Sequence, residues 1–159
     1  MATVDRWLSR FLPRRDIWRG GTLLFRRWYL TPRRWRVVAI LHHFLSPDVD
    51  PDPHDHPWPF LSVVLKGGYL EQVFDHSTPA RLVREVVAKP GTARYRSAEH
   101  IHKVARLLTG SCWTLVVTFG RRRTWGFRTP SGFVDWRTYT GEAPDYDPLE
   151  DLAPLADVR

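Results

Sequence analysis

The chain holds a single cysteine, Cys112, so it can form no internal disulfide and must be held by packing. That usage fits a reducing cytoplasm. Long apolar runs are missing as well. The longest is Val37-Val38-Ala39-Ile40-Leu41, against the roughly 20 residues that a membrane span needs. Met1 to Arg6 lacks the apolar stretch of a secretory leader. Lysine is scarce, at three residues, while arginine numbers 21. No Gly-x-x-x-x-Gly-Lys loop and no Gly-x-Ser-x-Gly elbow occurs, so nucleotide hydrolysis and serine esterase chemistry have no support.

What is there suffices for one domain. The 159 residues are 43% hydrophobic and 13% aromatic, enough to bury a core. Charge is unevenly spread along the chain. Residues 1–36 carry ten arginines against Asp5 and Asp16, a local balance of +8, whereas residues 141–159 balance at −5. Opposite blocks can bind each other, within one chain or between two copies in a homo-oligomer, and they can bind separate partners. The arginine-rich front also keeps nucleic acid open as a partner, through phosphate contacts.

Periodicity places a helix over residues 4–12, where Trp7, Leu8, Phe11 and Leu12 form one apolar stripe. Thereafter the pattern is of short strands between turn signals. Segments 23–29, 35–45, 59–65, 69–74, 82–88, 92–97, 101–107, 112–119, 124–128 and 133–139 all read as strands. Gly67-Gly68 reads as a two-residue hairpin turn. The reading divides the chain into a basic N-terminal helix and linker (1–21), a β-barrel (22–140) and an irregular acidic tail (141–159). The fold class is all-β, an antiparallel sandwich or barrel.

Chemistry concentrates in Pro53-His54-Asp55-His56-Pro57-Trp58. Histidines at i and i+2 of an extended chain share a face and can clamp one divalent ion. That face continues through Trp58, Phe60, Ser62 and Val64. A hairpin closed at Gly67-Gly68 would pair Val64 with Glu71 and turn the carboxylate inward, which is costly unless a metal, proton or base engages it. His102, 46 residues after His56, offers a third imidazole, with His100 on the same face.

These residues resemble the two motifs of a single-domain cupin, a small jelly-roll β-barrel. His54, His56 and Gly68 match the first motif, His-x-His followed by a glycine about a dozen residues later. Gly91 to His102 resembles the second, with Ser97 where proline is usual and Glu99 where glycine is usual. The carboxylate expected after His-x-His would fall at Phe60 or Leu61 and is missing. The resemblance therefore implies a three-histidine site of His54, His56 and His102, similar to the ligand set of the thiol dioxygenase branch. It implies an Fe(II) enzyme acting on a small molecule, with Zn, Ni, Mn or Cu as other candidate ions. Glu71 would be a fourth ligand or an acid/base.

Other residues keep two readings. Tyr69 is an active-site phenol or barrel filling. Arg94 and Arg96 share a strand face, to grip a substrate carboxylate or phosphate if inward or to meet solvent if outward. Trp58, Trp113 and Trp125 shape an aromatic pocket or fill the core. His42 and His43 face opposite ways in one strand, as core histidines or as ligands. Asp48, Asp50 and Asp52 mimic a calcium loop, but Pro53 and Pro59 stand where it needs glycine and glutamate, leaving a solvated loop. Arg121-Arg122-Arg123 is a solvated turn or a phosphate grip. A non-catalytic barrel that works by assembly is the alternative to an enzyme.

Overall fold

The computed structural model describes residues 2–141. The acidic segment 142–159 lies outside the described residues, and with it the expectation of an irregular tail. The described chain opens with α1 (Ala2–Phe11) and closes with α2 (Trp136–Thr140). Between them run β1 (Arg14–Arg19), β2 (Thr22–Tyr29), β3 (Val37–Phe44), β4 (Phe60–Lys66), β5 (Tyr69–Phe74) and β6 (Leu82–Ala88). There follow β7 (Ala93–Arg96), β8 (Ile101–Leu107), β9 (Cys112–Phe119), β10 (Gly126–Thr129) and β11 (Gly132–Asp135). One antiparallel sheet has the order β1-β2-β3-β9-β4-β7, and a second the order β6-β5-β8. Isolated bridges from His54 to His102 and to Phe127 link β8 to the β10–β11 hairpin. No helix among the described residues is long and apolar enough to cross a membrane.

Strict alternation builds the space between the sheets. In β9, Cys112, Thr114, Val116 and Thr118 are buried, and the residues between them point to the other face. Val64, Ala88 and Cys112, from β4, β6 and β9, close the two sheets on each other, with Phe44, Tyr69 and Leu107 packed against them. Each large apolar side chain so buried contributes about 1.5–3 kcal/mol. Burial also pushes the Cys112 thiol up to about 11, which keeps it protonated and inert.

Four expectations need correction. Gly67-Gly68 does not close a β4–β5 hairpin, because β4 pairs with β7 and β9 while β5 pairs with β6 and β8. The two glycines instead carry the chain from one sheet to the other. Both have positive φ, and a Cβ would run into the Ser111 carbonyl at Gly67 and within 2.6 Å of the Ala88 carbonyl at Gly68. Residues 14–19, read as linker, form β1, which Gly20-Gly21 turns back onto β2. The strand expected over 133–139 ends at Asp135, whose carboxylate accepts from Arg137 N at 2.9 Å and caps α2. Finally, the aspartates of the 48–52 loop are engaged. Asp48 accepts from Val104 N (2.6 Å), Asp50 is forked by Arg19 (3.1 and 3.1 Å) and Asp52 accepts from Tyr139 (2.9 Å).

The helix α1 packs by its polar side. Asp5 is buried against Arg26 and His43 Nδ1 (3.2 Å), and Ser9 Oγ accepts from Trp28 Nε1 (3.0 Å). Val4, Trp7 and Phe11 are exposed. The crossing at Gly67 can be tested by chemical denaturation. Gly67→Ala meets backbone as well as an unfavourable φ, and should cost about 2–3 kcal/mol. Gly91→Ala, with a similar φ of +86° but open space around it, should cost about 1 kcal/mol.

Candidate metal centre

The His54–His56 segment lies along β8 as an added strand. His54 N donates to His102 O and His102 N to His54 O, both at 3.0 Å, and His56 N donates to Ala98 O at 3.0 Å. This fixes the alternation. The rings of His54 and His56 point to one side, and Asp55 points to the other. His102 faces them from β8. The ring centroids form a near-equilateral triangle of 5.2, 5.1 and 5.0 Å. One ring nitrogen from each histidine lies within 4.8 Å of the others.

Burial disfavours the charged form of two of these rings, His54 and His56. It lowers His54 to about 4, opposed by the Asp48 charge, and takes His56 well below the usual imidazole value, aided by its neighbours His102 and His54. Neutral imidazoles keep the lone pair that a metal needs.

Glu71 decides which nitrogen His102 offers. The carboxylate is buried, and a carboxylate only accepts. Oε1 takes His102 Nδ1 at 2.9 Å and His100 Nε2 at 3.0 Å, and Oε2 takes Arg96 at 2.6 Å. Burial alone would raise this acid, but the bonds from His100, His102 and Arg96 outweigh it and hold it well below the usual carboxylate range. With its Nδ1 turned to Glu71, His102 presents Nε2 to His56 Nε2, 2.8 Å away. Two ligands about 2.0–2.1 Å from one ion and at a right angle to each other would be about 2.9 Å apart. The donor set therefore fits a divalent ion, with Glu71 orienting a ligand from behind. Glu71, His100 and His102 also converge within 4.8 Å. The guanidiniums of Arg96 and Arg94 on that carboxylate oppose a second cation there.

A cavity of about 220 Å³ is bordered by His54 and His56 together with Trp58, Trp125, Phe127 and Trp136. His102 and Glu71 are not part of its wall, so a group entering it meets His54 and His56 first.

The other sequence-derived residues are distributed as follows. Trp58 borders the cavity. Trp113 does not: it stacks on His43 at 4.1 Å and on Trp28 at 5.6 Å, on the outer face of the large sheet beneath α1. Alternation requires this, because its neighbours Cys112 and Thr114 point inward. Arg94 and Arg96 do face inward, but onto Glu71. Tyr69 packs against the Val64–Ala88–Cys112 cluster, and burial followed by the Glu71 charge pushes its phenol up to about 12. His42 is on the inner face and His43 on the outer one, and neither joins the triad. Arg123 of the arginine run binds Asp55.

Sequence reasoning passed over Asp55. It is fully buried and accepts from Arg123 (2.8 Å), Arg128 (3.0 Å) and Gly126 N (2.9 Å). Those bonds fasten the His-x-His segment to β10. The signal was present in the alternation, since the residue between two inward histidines must be satisfied on the other side.

With fold and site in view, the chain has the cupin fold. No family model and no curated protein sequence matches it. Similar solved structures include the Fe(II) form of HppE (TM-score 0.55, 18% identity), covering 69% of this chain and 57% of that one. A structure of the DMSP lyases RdDddP and RnDddQII is similar over 69% of this chain and 57% of that one (0.52, 19%). The E162A mutant of Bacillus subtilis oxalate decarboxylase OxdC matches over 70% of this chain and 28% of that one (0.51, 12%). The chain thus spans little more than half the length of the first two. At these identities the likeness establishes the fold.

Asp55→Ala should destabilise the protein by about 3 kcal/mol, because it strands two arginines that can only partly reach water. Thermal or urea unfolding measures this; a loss under 1 kcal/mol would leave Asp55 no anchoring role.

Proposed function

We propose that this protein is a metal-dependent enzyme acting on a small molecule, with His54, His56 and His102 holding one divalent ion. The observation that carries this reading is the convergence of three half-buried imidazoles, two of them beside an aromatic cavity and the third oriented by a buried carboxylate. Fe(II) is the ion we favour, supported by the three-imidazole donor set and by the Fe(II) form of the similar HppE structure. Such an ion would polarise a bound substrate or, as iron, activate dioxygen, in the manner of a dioxygenase. The chain's own residues divide the remaining work. Glu71 holds the Nδ1 proton of His102 and keeps Nε2 free for the ion. Arg96 and His100 keep Glu71 ionised. Trp58, Trp125 and Phe127 exclude water around the entering substrate. The free, buried Cys112 supports a reducing cytoplasmic setting.

A second reading, a non-catalytic barrel acting by assembly, is favoured by one observation. The helix α1 turns Val4, Trp7 and Phe11 to solvent. The partner would be a second copy of this chain, joined through basic front and acidic tail.

Elemental analysis separates the readings. Purified protein should carry nearly one equivalent of metal, and His56→Ala or His102→Ala should lose most of it. Equal metal in wild type and variants would end the assignment. For assembly, sedimentation should find a dimer at low salt that Trp7→Glu or high salt dissociates; a monomer under all conditions discards that reading.

A further inference from the structure

Alternation gives the large sheet two unlike faces. Its inner face mixes polar side chains, among them Ser62, Thr114 and Thr118, with apolar ones. The outer face of β3, β9, β4 and β7 does not. Register makes one row there of Ala39, Val117, Leu61 and Tyr95, and a second of Leu41, Leu115, Val63 and Ala93. Val37 and Phe119 begin a third, with the Phe119 ring 6.2 Å from that of Tyr95. No charged side chain stands in these rows, and none of the ten residues is buried. An antiparallel sheet ordinarily turns its polar face to water, so this pattern is inverted. Strands that are apolar on their outer side call for a further layer. Among the described residues, α1 covers the other end of the face, over Trp28 and His43.

The uncovered part has the size of an interface. At about 4.8 Å between strands and about 6.8 Å between successive residues on one face, ten side chains give a flat footprint of about 330 Å². Leu30, whose N–H donates to Ala39 O, extends it and is 43% exposed. Val37 and Tyr95 stand 46% and 60% exposed. The relief of these side chains brings the accessible area to about 500 Å², each partner's share of the smallest specific contacts. A lone monomer seldom shows an unbroken apolar patch beyond a few hundred Å².

Composition selects the occupant. Partners that come and go meet on mixed surfaces, whereas a patch without charge resembles a domain core cut in two, the mark of a permanent interface. A permanent partner must be present whenever the chain is made, and in equal number; a second copy of the chain meets both demands. A twofold axis brings the same rows together from both sides, and two twisted sheets then pack face to face about 10 Å apart.

We infer that the outer face of β3, β9, β4 and β7 joins two copies of this chain back to back. The contact is independent of the metal reading. It also differs from a dimer held by α1 and by opposite charges, because neither takes part in it.

Sedimentation of the full chain tests the inference. Wild type should be a dimer at low salt and remain one in concentrated sodium sulfate, which screens charge and strengthens apolar contact. Val117→Glu sets a charge in the middle of the face, twice across the axis, and should weaken the dimer about 100-fold. Tyr95→Glu, on the edge strand where the side chain is already exposed, should weaken it about 10-fold and leaves the fold of each copy undisturbed. Circular dichroism of both variants should match wild type. Trp7→Glu on α1 should leave the dimer whole. A monomeric wild type, or a dimer that both sheet variants preserve, would overturn the inference. So would a dimer that salt or Trp7→Glu dissociates and Val117→Glu does not; that result would uphold assembly through α1 and charge instead. A monomer that sediments with phosphatidylglycerol vesicles would give the face to a lipid surface and overturn the dimer.

Discussion

A single buried carboxylate, Glu71, organises the centre of this molecule. Removing a charge from water costs several kcal/mol unless partners replace the lost hydration. Glu71 finds those partners on two neighbouring segments: Arg94 and Arg96 from β7, and His100 and His102 from the start of β8. Because β7 belongs to the large sheet and β5 and β8 to the small one, the same bonds tie the two sheets together at the level of the histidines. They also set the ring orientation of His102, and through it the shape of the triad. The site and the closure of the fold therefore share one electrostatic knot.

The remaining polar groups follow the same economy of pairing. Asp55 is satisfied by two arginines and a backbone N–H on the far side of the His-x-His strand. Asp5 of α1 is satisfied by Arg26 and His43 on the outer face of the large sheet. Each buried acid thus pins one irregular or terminal segment to the strands. This is also why much of the strongly basic front is structural within the described residues: Arg14, Arg19 and Arg26 meet Asp16, Asp50 and Asp5.

Much of this could be read from the residues themselves, and the misses share a cause. Strand alternation is local, so β5, β6, β8 and β9 fell close to where periodicity puts them, and His54 and His56 fell on one face. Glu71 did turn inward, although the hairpin argument for it failed: its own strand buries Glu71 and Val73 on one side, whatever β4 does. Local signals misled where two outcomes share one dipeptide. Gly67-Gly68 supplies positive φ equally well to a tight hairpin and to a crossing between sheets. Trp113 looked like a pocket aromatic because composition does not reveal which face of β9 is covered by a helix.

Sequence alone determined the all-β architecture, the histidine pair on one extended segment, the third imidazole and the inward acid, because each depends only on the period of two along a strand and on a few turn residues. The tertiary structure decided which sheet each strand joins, that Arg94 and Arg96 serve Glu71, and that Asp55 is an anchor. Those are questions of register between segments far apart in the chain. Register is set by how buried charges and bulky side chains settle against one another once the sheets close, and no local pattern encodes it.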